Sequence, residues 1–329
     1  MSPGHFDAIQ RTRVRDAVRA EALRPAPPEV TALVEAARER FGDAIVAVLF
    51  YGSCRQRGTA EGILDLHVLV DDLDAALGPW GAWWCRLLPP SVFYLETGAG
   101  TAGDGANGDG ANGAAGGTGE EGVAGGHGVT VRGKVAVLSL RQFRRGVSRA
   151  AFHSYFWGRY AQPLTIVGAA DPEPLVDGLV EAVETLAWRA WPRLGGPAGT
   201  VDYWTGALRL SYRAELRPEG HDRPAALVAA YPAYFRATGE AVLATHVGRP
   251  TNTARARADW ALRGAWGKLL SLLRLLKGLA TFEGGLDYVA WKLERHTGRH
   301  VEIPPRVRRH PWLYVWPLVW RHWREGSFR

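Results

Sequence analysis

Two short blocks carry the residue types that phosphate chemistry needs. Gly52-Ser53 closes the apolar run 44–51, and Asp65 opens a second apolar run after eleven intervening residues. Glycine lets backbone approach a phosphate closely, and the following hydroxyl and backbone N–H groups can bond to it. A carboxylate at the mouth of the neighbouring strand can hold the Mg²⁺ that the phosphates bring. The position two residues on, where a second carboxylate would share that metal, is His67. His67 either points into the site with Asp65 or is a satisfied buried histidine. Asp71 and Asp72 either share the metal or cap a solvated strand end. Lys134 sits inside another apolar run, where a lysine needs a partner; a phosphate or Asp65 would serve. Arg159 follows Gly158 and precedes a turn, which suits a bidentate grip on phosphate. Arg55 and Arg57 flank the Gly-Ser turn as phosphate contacts or as exposed loop charges.

The elements that must position these groups follow from periodicity and turn residues. A polar helix is expected over 5–24, stopped by the Pro-rich 24–29. A second follows over 29–41, with Val30, Leu33, Val34, Ala37 and Phe41 on one face. Strand 44–51, the Gly-Ser turn, a short polar loop and the strand led by Asp65 come next. Then come a helix over 73–87, a strand over 91–96, a strand or hairpin over 129–140 and a helix over 141–157. A short strand ends at Val167. From Pro172 the chain reads as helices over 173–191, 200–217, 224–237, 239–246 and 252–280. On the last of these, Leu269, Leu272, Leu273, Leu276 and Leu279 share one face and Arg263, Arg274 and Lys277 the other, the pattern of a helix that turns its leucines to a core. Residues 98–128 hold fourteen glycines in thirty-one positions. They cannot bury enough apolar surface to offset their ordering entropy, and a disordered loop is expected.

At 329 residues the chain can hold two domains. Its two cysteines, Cys54 and Cys85, exclude a disulfide framework and a thiolate metal site. No signal-peptide pattern is visible, and no run reaches the roughly twenty apolar residues of a spanning helix. The charge is uneven. Residues 241–329 carry sixteen Lys/Arg against six Asp/Glu, a net +10, and the remainder carries −3. An anionic surface met by the C-terminal quarter is implied. In the tail, Trp312, Trp316, Trp320 and Trp323 recur at helical spacing, with Arg308, Arg309, Arg321 and Arg324 beside them. Trp and Arg at the rim of a short apolar segment suit an interfacial membrane contact, with packing on the protein's own body as the other reading; nucleic acid is not expected as a partner.

Taken together and in order, FYGS at 50–53, LDLHVLVDD at 64–72, Tyr94, the strand with Lys134, YFWGRYAQPLTIV at 155–167 and LSYRAELR at 210–217 resemble one family. It is the mitochondrial translocator assembly and maintenance family, peripheral phosphatidate cytidylyltransferases of polymerase-β-type fold, and the likeness is to their bacterial relatives over about 35–295. There too the second strand carries one Asp. The departures are Gln162 where the family has Lys, Ala214-Glu215 where it has Gly-Asp, Phe93-Tyr94-Leu95 for its His-Tyr-Ser element, and the glycine-rich insertion. The fold class expected is α+β: an N-terminal helical arm over 1–29, a nucleotidyltransferase domain over 30–170, a helical domain over 171–300 and a basic aromatic membrane-contact tail over 301–329. The resemblance implies transfer of CMP from CTP to phosphatidic acid with Mg²⁺ as cofactor. Gly52, Ser53, Tyr94 and Arg55 would bind nucleotide, and Asp65, Lys134 and Arg159 would act in catalysis. Asp65 would hold metal with Glu215 or Asp72, Glu96 being held in reserve; Glu215 is equally a partner for Arg159. The protein would work in the cytoplasm, at the inner face of the cell membrane. A transferase for a soluble acceptor and a non-catalytic membrane scaffold remain as other readings.

Overall fold

The computed structural model describes residues 5–98, 130–194, 199–216, 222–248 and 253–281. The strands are β1 (Ile45–Tyr51), β2 (Ile63–Val70), β3 (Ser91–Gly98), β4 (Thr130–Ser139) and β5 (Thr165–Val167). They form one sheet in the order β3-β4-β2-β1-β5. β2 and β4 run parallel and every other neighbouring pair antiparallel. The helices are α1 (Ala8–Ala22), α2 (Pro28–Phe41), α3 (Ser53–Arg57), α4 (Leu73–Leu87), α5 (Leu140–Val147), α6 (Tyr155–Tyr160), α7 (Glu173–Leu194), α8 (Thr200–Arg213), α9 (Arg223–Ala230), α10 (Pro232–His246) and α11 (Thr253–Thr281). The α+β class expected from the sequence is what the chain adopts.

β1 and β2 read as continuous apolar runs because both faces of the sheet are covered. On one face Val48, Phe50, Leu66, Val68, Val135 and Val137 pack under α2 and α4. On the other Ala47, Leu49, Leu69 and Leu138 belong to one core with residues of α1, α5, α6, α7, α8 and α10. The helical half therefore packs on the sheet through a shared core. Helix α1, expected as part of an arm, is a member of that core through Val14, Val18 and Ala22. Arg15 and Arg19 pair with Glu173 at 2.6 and 2.8 Å, and Phe6 N donates to buried Glu184 at 2.7 Å.

Several boundaries differ from the sequence expectation. The polar stretch after Gly52 is one helical turn, α3, closed by Gly58 in the left-handed region. The strand or hairpin expected over 129–140 is the single strand β4 over Thr130–Ser139. The helix expected over 141–157 divides into α5 and α6, since Ser148 leaves the helix in an extended conformation. The break expected near residue 238 falls instead at Tyr231, where Pro232 begins α10. Gly239 stays inside α10, where Thr200 packs in the space a side chain would take. The largest difference is in α11. Of its expected leucine face, Leu269 and Leu273 are more than two-fifths exposed and Leu272 and Leu276 half-buried; Leu262 and Trp266, a turn or two before them, are exposed as well. Arg263 and Lys277 point inward and are buried. Arg263 donates to the Phe152 carbonyl and pairs with Asp259 at 3.0 Å. Arg274 Nε donates to the Pro89 carbonyl at 2.8 Å, and Lys277 Nζ to the Leu88 and Pro90 carbonyls at 2.6 and 2.7 Å. Buried carbonyls need donors, and leucine has none to give. No helix among the described residues is long and apolar enough to cross a membrane. The glycine-rich stretch after Gly98, Arg217 and the chain from 282 on, the tail over 301–329 included, lie outside the described residues.

Candidate active site

Register places four of the singled-out side chains in one row. Tyr51 pairs with Asp65, Asp65 with Lys134, and Lys134 with Tyr94. Direct cross-strand partners share a face of the sheet, so the row Tyr51–Asp65–Lys134–Tyr94 crosses four strands beside the Gly-Ser turn. Gly52 has φ +91°, and a Cβ there would lie 2.5 Å from Asp65 Oδ2. The Asp65 carboxylate thus fills the space that any other residue at 52 would need. Ser53, half-buried, opens α3 directly after it.

Behind Asp65 on the same face, His67 is fully buried. Tyr51 Oη lies 3.0 Å from its Nε2 and Tyr160 Oη 2.6 Å from its Nδ1. A neutral imidazole donates through one nitrogen and accepts through the other, so two phenols satisfy it completely. Burial holds its pKa well below the usual histidine range, and the positive charges of Arg159 and Lys134 lower it further. His67 is therefore a satisfied core histidine and supplies no ligand. The same charges show that Arg159 and Lys134 both act on this ring. Arg159 lies on α6, which approaches α8 closely because residue 158 is glycine: a Cβ there would meet Ser211 Oγ at 2.0 Å. That approach brings Arg159 to Glu215, at 3.5 Å. Of the two roles open to Glu215, pairing with Arg159 is the one seen here.

Two residues expected at the site are not brought to it. Arg55 turns away from the Gly-Ser turn. Its guanidinium donates to Glu21 Oε2 at 2.9 Å and to Thr165 Oγ1 at 2.9 Å, and it stacks over Tyr231 at 5.2 Å. It ties α1 and α9 to the sheet and is not a nucleotide contact here. Asp72 caps α4 through the N–H groups of Asp74 and Ala75, at 2.8 and 3.3 Å. Roughly 16 Å of strand separates Asp65 from Val70, so Asp72 and Asp65 lie at opposite ends of β2 and cannot share one ion. Glu96 is exposed and pairs with Arg132 at 3.1 Å. Arg57 is an exposed loop charge that donates to the Glu61 carbonyl at 3.4 Å.

Three site residues went unrecognised in the sequence. Tyr155 presents its ring to Arg159, with Cζ 4.3 Å from the centroid, and to Arg274, at 4.1 Å. His153 stands beside them, its pKa lowered to about 4 by burial and by Arg274, against an opposing pull from Glu215. The His-Ser-Tyr run at 153–155 just before the Gly-Arg pair was the available signal; nothing local marks Arg274, 115 positions after Arg159.

Among the described residues no three His, Cys, Asp or Glu side chains gather as a metal group. A Mg²⁺ that arrives on a triphosphate needs only one or two protein carboxylates. Asp65, lodged against the Gly52 backbone, fits that requirement. The chain matches no family model, and no curated protein matches it.

Proposed function

We propose that the chain is a polymerase-β-type nucleotidyltransferase that transfers CMP from CTP to phosphatidic acid, giving CDP-diacylglycerol and pyrophosphate. The observation that carries the reading is the Asp65 carboxylate lodged over Gly52, in register with Lys134 on the next strand. That arrangement sets a carboxylate, an ammonium and a Gly-Ser turn side by side, the groups that would hold a metal and a triphosphate. In the reaction, an oxygen of the acceptor phosphate attacks the α-phosphorus of CTP. The bond between the α-phosphorus and its bridging oxygen breaks, and pyrophosphate leaves with the electron pair. Phosphatidate is ionised at neutral pH, so the attacking oxygen needs no general base. Neutral His67, enclosed by two phenols, fits a site without one.

The chain's own work is positioning and charge neutralisation. Gly52 and Ser53 receive the triphosphate, and Tyr94 flanks it from β3. Lys134 and Arg159 offset the charge that gathers on the phosphates. Asp65 would hold the Mg²⁺, whose chemistry when bound is to neutralise triphosphate oxygens. The basic C-terminal quarter and the tail over 301–329 suit attachment to an anionic bilayer, at about 1 kcal/mol per Lys or Arg near the surface. The place of action that follows is the cytoplasmic face of the membrane.

The test is formation of CDP-diacylglycerol from CTP, Mg²⁺ and phosphatidate vesicles. Asp65→Ala is expected to lower kcat by at least about a hundredfold, the scale of losing a key charge-stabilising group. Equal activity in the two proteins would overturn the site. Undiminished CMP transfer to a soluble acceptor without lipid would overturn the acceptor.

A further inference from the structure

We propose that Arg159 and Arg274, clasping the Tyr155 ring from α6 and α11, form with His153 the subsite for the acceptor's phosphate monoester. The inference rests on the transferase reading above and assigns two residues, Arg274 and His153, that the reading does not use. Three observations converge on it. The two guanidinium groups lie 4.3 and 4.1 Å from one aromatic centroid, and the charge of Arg159 works against that of Arg274, a repulsion that a bound anion relieves. The nearby carboxylate is Glu215, which pairs with Arg159 at 3.5 Å and acts on both cations. With Lys134 and its neighbour Asp65 counted in, three cations face two carboxylates among the described residues. Finally, the buried Nδ1 of His153 has no hydrogen-bond partner among the described residues.

A phosphate monoester answers all three. It carries close to two negative charges at neutral pH and three acceptor oxygens. Two planar guanidinium forks match those oxygens, and a histidine N–H can take one more. Arg159 donates to the Tyr155 carbonyl at 3.2 Å and Arg274 to the Pro89 carbonyl at 2.8 Å, so both forks are held by backbone before a ligand arrives. Such fixed donors bind without the entropy loss of ordering long side chains. The same α11 that carries Arg274 inward carries Leu262, Trp266, Leu269 and Leu273 outward. A lipid-borne monoester suits a helix with cationic inner and apolar outer faces, and a free phosphate lacks any use for the second.

Two measurements test the assignment. In steady-state assays with CTP and phosphatidate vesicles, Arg274→Gln is expected to raise the KM for phosphatidate about tenfold or more, one lost charged contact, and to leave the KM for CTP within about twofold. His153→Phe keeps the ring against Phe156 and removes Nδ1; a several-fold rise in the same KM is expected. Equal effects on both KM values, or none, would overturn the subsite. Binding is then measured calorimetrically without CTP, using dihexanoyl phosphatidate, dihexanoyl phosphatidylcholine and inorganic phosphate. The wild type should bind the phosphatidate, bind the choline diester at least about tenfold more weakly, and lose the phosphatidate on Arg274→Gln. Binding of that kind without CMP transfer retains the subsite and removes the transferase reading. Transfer with an unchanged phosphatidate KM in both variants does the reverse. Inorganic phosphate bound as tightly as the phosphatidate overturns the lipid source.

Discussion

At residue 52 the chain combines a backbone requirement with a steric one. Gly52 holds φ at +91°, and Asp65 occupies the space beside it. Gly52→Ala would strain the backbone and drive the methyl into the carboxylate. We expect a loss of about 1–3 kcal/mol in stability, read by denaturant unfolding, and loss of CMP transfer beyond what stability explains. A variant as active and as stable as the wild type would contradict the geometry. Gly52, Ser53 and Asp65 were legible in the sequence because a Gly-Ser pair between two apolar runs constrains its own neighbourhood. The state of His67 was not legible. Period-2 alternation set its face, but the two phenols that satisfy it come from positions 51 and 160. Arg55 shows the same limit: adjacency to the turn gave it a role that its distant partner Glu21 takes away.

Helix α11 shows what an element adds. Its leucine stripe and its cationic stripe were both visible in the sequence, and an amphipathic pattern ordinarily turns the apolar side inward. Here the surface beneath it offers the carbonyls of Leu88, Pro89 and Pro90, and the cations turn inward to meet them. Burial lowers the Lys277 pKa from 10.5 to about 8, with Cys85 opposing and Arg274 assisting. The sign of the consequence follows from proton counting. Between about pH 8 and 10.5 the unfolded chain binds a proton at Lys277 that the folded chain does not, so stability rises with pH across that window. This contribution is complete above the unfolded value and is lost as pH falls through the folded one. Urea unfolding at pH 7.5 and 9.5 should show a greater increase for the wild type than for Lys277→Met; equal increases would place the lysine in water.

For the molecule as a whole, the shared core decides how the chain folds. The sheet buries Ala47, Leu49, Leu69 and Leu138 under helices drawn from both ends of the chain. A fragment comprising residues 30–170 would expose that face, together with Phe143, Val147, Phe156 and Trp157, which belong to the same cluster. We expect it to lack fixed tertiary structure, seen as absent near-ultraviolet dichroism and poor amide dispersion. A fragment that unfolds cooperatively would show that the helical half is dispensable to the sheet. Arg159 belongs to this scale too, since α6 lies in the layer that the missing helices complete.

The sequence by itself determined the α+β class, the strand–turn–strand with its lone aspartate, and the presence of a lysine inside an apolar strand. Each depends on local periodicity, a glycine's backbone freedom or the type of one residue, and those are written in neighbouring letters. Tertiary structure alone decided that Glu215 pairs with Arg159, that the cations of α11 turn inward, and that Arg274 meets Tyr155. Those outcomes depend on which buried carbonyl, carboxylate or ring lies opposite, and the chain brings such partners together from 56 to 189 positions away.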